Sequence, residues 1–223
     1  MRRLVTMATN YNNTKQTLPM PAFRLACRLL FILPLMTAAV FTPTLQANEA
    51  VRKAEQLEQV VAPDSAASKI TEPLSEQEAQ AIDPAGRDPL EEPLTCLART
   101  IYWEAKGVPG RDMESVANVV MNRLADSNFP NTLCEVVRQG SEQSPCQFSW
   151  WCDGKPDEVV EGDAYEVAKE VARQALNQEL PDHTGGALYF HDRTVHPPWA
   201  DVYLLTAETD TFIFYRPDAT LAD

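Results

Sequence analysis

The chain has 223 residues and carries 32 acidic against 19 basic side chains, which gives a formal net charge of −13. Nucleic-acid binding that ignores base sequence requires Lys and Arg to neutralise phosphates, so this acidity argues against a nucleic-acid partner. Of the 18 aromatic residues (8 Phe, 6 Tyr and 4 Trp), 14 lie in residues 102–223, which predicts one folded domain late in the chain.

Residues 1–47 have the pattern of an export leader. They contain five basic residues and no acidic one, an uncharged apolar stretch at 29–41, and small residues before Ala47. A membrane span needs about 20 apolar residues, and Pro34 interrupts this stretch, so a cleaved signal peptide is favoured over an uncleaved anchor. We therefore predict an exported protein that contacts the membrane only if the leader is retained.

Residues 48–92 have the composition of a linker. They contain 11 acidic and four basic residues, four prolines and no aromatic residue. Such a segment buries too little apolar surface to offset the entropy of ordering, so we predict that it is mostly disordered. Val51, Ala54 and Leu57 repeat at helical spacing and allow a short helix around residues 49–61.

The domain is predicted at residues 93–217, followed by a tail at 218–223. Apolar periodicity predicts helices at 94–105, at 113–124 with Asp112 as N-cap, at 132–137 with Thr132 as N-cap, and at 163–178 with Asp163 as N-cap. Extended segments follow at 147–151 and 187–191, and a hairpin is predicted from 202–206 and 211–216. Helices first and short antiparallel strands later predict a single α+β domain.

Four cysteines remain after the leader: Cys96, Cys134, Cys146 and Cys152. An even number in an exported chain predicts two disulfides, for which three pairings are open. Zinc binding is the competing interpretation, and it is disfavoured because no Cys-x-x-Cys pair is present.

Glu104 is the first candidate for chemistry. Helical positions advance by about 100°, which places Glu104 about 20° from Leu97 at the edge of the buried stripe of its helix. Partial burial raises the pKa of a carboxyl group and lets it donate a proton near neutral pH. The alternative from position alone is a glutamate on a solvated helix flank.

Three segments, at 96–123 (CLARTIYWEAKGVPGRDMESVANVVMNR), 146–154 (CQFSWWCDG) and 187–200 (ALYFHDRTVHPPWA), resemble the SleB/CwlJ-like cell-wall hydrolase family. The resemblance implies a lysozyme-like domain in which Glu104 matches the first, catalytic glutamate of a Glu-Ala-Arg-Gly-Glu segment. This chain departs from that segment at Lys106, which keeps the charge, and at Val108, which replaces the second glutamate.

The implied activity is cleavage of the glycan strand of peptidoglycan between N-acetylmuramic acid and N-acetylglucosamine. A lytic transglycosylase needs one essential carboxyl group, whereas a typical hydrolytic glycosidase uses two. The loss of the second glutamate at Val108 favours the first mechanism, although Asp153 or Asp157 could serve as a second acid. We expect no cofactor, no metal and no stable protein partner, and a periplasmic or cell-wall location.

Other residues are candidate contacts to the sugar chain. Asn122 and Arg123 match an Asn-Arg pair of the family, and Gln147 and Ser149 belong to a matching Gln-Phe-Ser segment, where strand alternation would place both on one face. Aromatic rings stack on sugars, and core packing is the alternative for such residues. The full set of predicted substrate-binding residues is Tyr102, Asn122, Gln147, Ser149, Tyr189, His191 and Trp199.

Two other functions stay open at this point. His183, His191 and His196 lie close together in sequence among aspartates, a donor set that a zinc-dependent N-acetylmuramoyl-L-alanine amidase would need, but their spacing matches no common zinc motif. The second alternative is a non-catalytic peptidoglycan-binding module, in which the aromatic residues hold the glycan and Glu104 has a structural role.

Overall fold

The computed structural model describes residues 43–63, 72–140 and 146–218. The predicted leader before residue 43 and the tail after Asp218 lie outside these ranges. The described helices and strands are α1 (Pro43–Val61), α2 (Glu76–Ala81), α3 (Pro93–Ala105), α4 (Gly110–Ala125), α5 (Leu133–Arg138), α6 (Gly162–Leu176), β1 (Tyr189–Asp192), β2 (Leu204–Glu208) and β3 (Phe212–Arg216). Short 3₁₀ helices cover Ser149–Trp151 and Pro198–Asp201.

Helix α3 is the centre of the core. Every residue from 93 to 102 is buried, and α4, α5 and α6 all pack against this helix. The carboxylate of Glu92 accepts the N–H groups of Leu94 and Thr95, so a side chain satisfies the free donors of the first turn. The helix ends at Ala105, where Gly107 takes a positive φ of 83°, and the predicted range of 94–105 is confirmed.

The strands form one antiparallel sheet in the order β1-β3-β2. Tyr189 pairs with Tyr215 across β1 and β3, and β2 and β3 form the predicted hairpin. The α+β class, with helices before strands, is confirmed; the lysozyme-like arrangement stays a prediction. None of the helices in the described ranges combines the length and apolar composition that a membrane crossing requires.

The predicted linker at 48–92 is folded over most of its length, and this corrects both the prediction of disorder and the domain start at residue 93. Helices α1 and α2 and the residues on either side of α2 bury apolar side chains in the same core as α3, namely Ala50, Ala54, Leu57, Leu74, Ala79 and Ile82. Most acidic residues of this segment are exposed, and the two that are buried, Glu58 and Asp83, accept hydrogen bonds from other parts of the fold. Helix α1 also spans the predicted cleavage position after Ala47.

A buried polar network fastens the segment to the helices. The carboxylate of Asp83 accepts from Arg99 Nη2 on α3 at 2.9 Å and from the hydroxyl of Tyr165 on α6 at 2.8 Å. At Gly86, where φ is +64°, an added Cβ would lie 2.3 Å from Val159 Cβ, so only glycine allows this close approach. The Asp83 contacts join the residues before α3 to α3 and α6, and the Gly86 contact joins them to the loop before α6.

Three local predictions are wrong. Helices α4 and α6 begin at Gly110 and Gly162, so Asp112 and Asp163 lie in their first turns and are not N-caps. Buried Asp112 instead accepts from the Thr211 hydroxyl at 2.9 Å and ties α4 to the turn before β3. Residues 149–151 form a 3₁₀ turn and not an extended strand. Thr132 does cap α5, as predicted.

Candidate active site

Glu104 lies in the last turn of α3 with its side chain half-buried. No residue in the described part of the chain forms a hydrogen bond or ion pair with its carboxylate, which distinguishes it from the capped or paired buried acids Asp83 and Glu92. Burial raises the pKa of Glu104 to about 7, and the positive charge of Arg123 partly offsets this effect. At neutral pH the group is therefore close to half protonated.

Arg123 on α4 is the charged neighbour of Glu104. Its side chain is buried, and burial lowers the pKa of the guanidinium to about 10 although Tyr189 and Glu104 act in the opposite direction. Nε donates to the carbonyl of Leu188 at 2.7 Å and Nη2 to Gln147 Oε1 at 3.2 Å. Nη1 is buried and has no hydrogen-bond partner among the described residues.

The Arg123 guanidinium is also surrounded by aromatic rings. It lies 5.1 Å from the ring centre of Phe148 and 5.4 Å from those of Phe129 and Tyr189. Cation–π contacts of this kind stabilise a cation that has left water. Arg123 is thus a buried positive charge that acts electrostatically on Glu104 and contacts the residues Gln147 and Leu188.

That cleft, which we call the Tyr189 cleft, has a volume of about 960 Å³ and brings together three of the predicted contacts, Asn122, Gln147 and Tyr189. Its remaining lining residues are Ala125, Asp126, Asn128, Phe129, Gln139, Gly186, Leu188, Leu204, Arg216, Pro217 and Asp218. Neither Glu104 nor Arg123 is among the lining residues, but Arg123 donates hydrogen bonds to two that are, Gln147 and Leu188.

Asn122 also organises the cleft wall. Its amide donates to the Ala187 carbonyl at 3.1 Å and to the Thr184 hydroxyl at 3.3 Å, which holds the loop that precedes β1. Gly185 and Gly186 in this loop both adopt positive φ, at 65° and 76°. The amide is therefore partly occupied by structural contacts, while the residue still borders the cleft.

Trp199 belongs to an aromatic cluster behind Tyr189. Its ring centre lies 5.8 Å from that of Tyr189 and 5.7 Å from that of Tyr203. His191 is buried in the same cluster, with Nε2 3.2 Å from the Tyr215 hydroxyl and Nδ1 2.8 Å from the Asp192 carbonyl. Both ring nitrogens of His191 are engaged, so it supports the cluster and is not placed to contact a ligand, contrary to the prediction.

Tyr102 is fully buried, which also contradicts its predicted role in binding. Its hydroxyl accepts the backbone N–H groups of Val160 and Glu161 at 3.2 and 3.1 Å. Its ring packs edge-on against Trp103 and Tyr165. Tyr102 is therefore a core residue that anchors the loop before α6.

A second cleft, the Trp103 cleft, has a volume of about 760 Å³. It is lined by Arg87, Trp103, Ser149, Trp150, Asp153, Lys155, Pro156, Asp157, Glu158, Val159 and Val160. Ser149 lies here while Gln147 lines the Tyr189 cleft, so the prediction that both share one face is wrong. The 3₁₀ turn that begins at Ser149 replaces strand alternation and separates the two side chains.

The cysteines form two disulfides, Cys96–Cys134 and Cys146–Cys152. The first joins α3 to α5 inside the core. The second closes a loop of residues 146–152 that contributes Gln147 to one cleft and Ser149 and Trp150 to the other. The prediction of two disulfides is confirmed, and the structure resolves which of the three pairings is present.

The three histidines do not meet at one point, although the ring centres of His191 and His196 lie 6.1 Å apart. His183 Nε2 lies 3.0 Å from Glu114 Oε2 and His196 Nε2 lies 2.8 Å from Asp201 Oδ1, while His191 contacts Tyr215. Within residues 43–63, 72–140 and 146–218, no group of three or more His, Cys, Asp or Glu side chains is arranged to hold a metal ion. The ligand set that the amidase alternative needs is not assembled by these residues.

Sequence reasoning missed how central Arg123 and Trp103 are. Arg123 follows Val116 and Val120 at helical spacing, so its position on the buried stripe of α4 was a detectable signal. A basic side chain on such a stripe needs partners, and those partners come from residues 147 and 188. Trp103 gave no comparable signal, because its cleft is made with residues about 50 positions away.

A comparison with known families gives a match over residues 107–215 to the family described as Cell Wall Hydrolase. This region is similar to the cell wall hydrolase family. The resemblance found in the sequence is confirmed by this match. The matched residues include both clefts' shared loop and Arg123, and they begin three positions after Glu104.

Two spore cortex-lytic enzymes are similar to part of this chain. The Bacillus cereus enzyme is 29% identical over 109 residues, which cover 48% of this chain and 37% of that protein. The Bacillus subtilis (strain 168) enzyme is 30% identical over 106 residues, which cover 48% of this chain and 32% of that protein. The chain thus spans about a third of the length of these relatives.

A solved structure is also similar. The catalytic domain of the Bacillus cereus SleB protein is 26% identical and aligns with 55% of this chain and 88% of its own length, at a TM-score of 0.45.

Proposed function

We propose that this protein degrades peptidoglycan by cleaving its glycan strand, with Glu104 as the general acid. The observation that carries the proposal is a half-buried carboxyl group with no hydrogen-bond partner in the described chain and a pKa of about 7. A general acid works best when its pKa lies near the working pH, because it then holds a proton and can also release it. The names of the relatives, which are spore cortex-lytic enzymes, support the substrate class.

The proposed chemistry is that of a lytic transglycosylase. Glu104 donates its proton to the oxygen between N-acetylmuramic acid and N-acetylglucosamine as that glycosidic bond breaks. The resulting Glu104 carboxylate then takes the proton of the muramic 6-hydroxyl, and the oxygen closes a 1,6-anhydro ring. The proton returns to Glu104, so the cycle balances without water.

The surroundings of Glu104 support a mechanism with one carboxyl group. Arg123 is the charged residue that shifts its pKa, and no second carboxylate does so within the described chain. Val108, at the position of the family's second glutamate, packs against the hydrophobic core. Hydrolysis by a pair of acids would require another carboxylate on the opposite side of the bond.

We further propose that Asn122, Gln147 and Tyr189 contact the sugar chain in the Tyr189 cleft, with Trp199 supporting the Tyr189 ring. Ser149 would contact the substrate from the neighbouring Trp103 cleft. The leader at 1–47 and the two disulfides support an exported, periplasmic or wall-associated enzyme, since disulfides persist in oxidising compartments.

The test is the substitution Glu104→Gln, which keeps the shape of the side chain but cannot release a proton. We expect at least a hundredfold loss of glycan cleavage with unchanged binding to sacculi, because general acid catalysis contributes about 10²- to 10⁴-fold. Mass analysis of sacculus digests measures the products, and 1,6-anhydromuramic ends are expected. Glu166→Gln, at an exposed position of α6, is the matched control.

Other products would contradict the proposal in distinguishable ways. Reducing muramic ends would indicate hydrolysis, and free peptide stems that disappear on chelation would indicate the zinc amidase. Binding to sacculi without any cleavage would indicate a non-catalytic module. Full activity of Glu104→Gln would remove Glu104 from the mechanism.

A further inference from the structure

Apart from the substrate contact proposed for Ser149, the Trp103 cleft has no role in the proposed glycan cleavage, yet it has the features of a binding site. Its volume of about 760 Å³ lies in the range of small-ligand sites. The indole rings of Trp103 and Trp150, together with Pro156, give it an apolar wall. Trp103 is held in place because its Nε1 donates to the Asp157 carbonyl at 3.2 Å.

The charges of this cleft are only partly matched. Asp153 and Lys155 pair with each other at 2.8 Å. The carboxylates of Asp157 and Glu158 form no hydrogen bond or ion pair with any described residue. Burial, followed by repulsion from Asp153 and Glu158, raises the pKa of the Asp157 carboxyl. A cationic ligand group would relieve this repulsion.

Trp150 carries a second polar group without a hydrogen-bond partner among the described residues. Its side chain is only 6% exposed, and its indole N–H has no hydrogen-bond partner among the described residues. A buried donor of this kind costs free energy until an acceptor reaches it.

The residues that line the Trp103 cleft are close in sequence to Glu104 and to Gln147 of the Tyr189 cleft. Trp103 directly precedes Glu104 on α3, and Ser149 and Trp150 come from the same disulfide-closed loop as Gln147. A branched polymer that places its sugar chain in the Tyr189 cleft therefore has the Trp103 cleft within reach of a side branch.

We propose that the Trp103 cleft binds the peptide stem of the peptidoglycan strand, and that Asp157 and Glu158 receive the ammonium group of its diamino acid. This inference rests on the proposed peptidoglycan substrate. The charge pattern favours the stem over the glycan, because N-acetylated sugars carry no cation. The alanyl methyl groups of the stem would pack against Trp103, Trp150 and Pro156.

The test measures peptide binding to the purified protein without catalysis. A stem tetrapeptide of alanine, glutamate, a diamino acid and alanine is titrated while the tryptophan fluorescence is followed. We expect the peptide with a free side-chain amine to bind about tenfold more tightly than the same peptide with that amine acetylated. The double variant Asp157→Asn with Glu158→Gln should lose this preference.

Asp163→Asn, at an exposed acid in the first turn of α6, is the control that should keep the tenfold preference. Equal binding of the two peptides to the unchanged protein would overturn the inference, as would a preference that survives in the double variant. Stem-free glycan that competes with the peptide would show that this cleft holds sugar instead. Because the assay needs no cleavage, its outcome is independent of whether Glu104→Gln is inactive.

Discussion

Unlike the acids Asp83 and Glu92, the half-buried Glu104 forms no hydrogen bond or ion pair that would give it a structural role among the described residues. Asp83 accepts from Arg99 and Tyr165, and Glu92 caps α3. Either acid would leave donors unsatisfied if it were replaced, whereas Glu104 has no partner to lose among the described residues. A half-buried carboxyl group is costly when ionised, so its presence without a partner favours a chemical role over a structural one.

Arg123 should set the pH range in which Glu104 works. The acid must be protonated, so activity is expected to fall as the pH rises through the Glu104 pKa of about 7. Arg123 lowers this pKa, and Arg123→Gln should therefore shift the alkaline limb of kcat/KM to higher pH by about one unit. Arg123→Lys keeps the charge and should shift the limb less.

The measurement is the pH profile of glycan cleavage, with thermal unfolding as the check on the fold, since Arg123 also holds Leu188 and Gln147. A loss of structure alone would lower the activity at every pH without moving the limb. An unmoved limb in folded Arg123→Gln would show that Arg123 does not act on Glu104.

Helical periodicity correctly placed Glu104 at the half-buried edge of the apolar stripe of α3. It was wrong about Tyr102 and His191, which looked available because aromatic residues suit sugar binding. Their hydroxyl and imidazole groups are occupied by residues 160, 161 and 215, which the sequence separates by 24 to 59 positions. Local spacing carries no information on such contacts.

Helix α1 contacts α5 through a titratable group, the carboxylate of Glu58. The buried carboxylate of Glu58 accepts the N–H of Leu133, the first residue of α5. Burial raises the pKa of Glu58 to about 7, and repulsion from Glu55, Glu92 and Glu135 adds to the rise. A carboxyl group with a raised pKa binds its proton more tightly in the folded state, so the free energy of unfolding should decrease as pH rises from about 4.5 to 7.

Glu58→Gln keeps an acceptor for Leu133 and removes the charge. Between pH 5 and pH 8, the free energy of unfolding should decrease by roughly 2 kcal/mol less in the variant than in the original protein. Urea unfolding at the two pH values measures this difference. Glu49→Gln, at an exposed position of the same helix, is the control, and an equal slope in both variants would contradict the assignment to Glu58.

Periodicity found most of the elements but not their ends or their partners. Helices α3 and α6 and the β2–β3 hairpin follow from local patterns. Val51, Ala54 and Leu57 indicated a helix in the first segment, yet nothing local showed what would cover it. The 3₁₀ turn at Ser149 lies in the loop closed by the Cys146–Cys152 disulfide, and the sequence alone left the pairing of these cysteines open.

At the scale of the whole molecule, the domain is larger than the family match. The matched residues 107–215 leave out α1, α2 and α3, and these helices contribute much of the core. A chain that begins at residue 93 should therefore be far less stable than one that begins at residue 43. Seven buried apolar side chains would be lost, and the four that are Leu or Ile are each worth about 1.5 to 3 kcal/mol when buried.

Such a loss is comparable to the whole stability of a typical domain. Circular dichroism melting of the two chains checks it, and the shorter chain should melt without a cooperative transition or be insoluble. Equal melting temperatures would show that α1 and α2 are peripheral. Sacculus digestion is accordingly better performed with the chain from residue 43.

Phe148 is fully buried under Arg123, and its two neighbours along the chain line different clefts. Gln147 and Ser149 cannot move independently while Phe148 is anchored and the disulfide closes the loop around them. We therefore expect occupation of either cleft to affect the same seven residues, and the free energies measured for substitutions on the two sides of Phe148 to be non-additive.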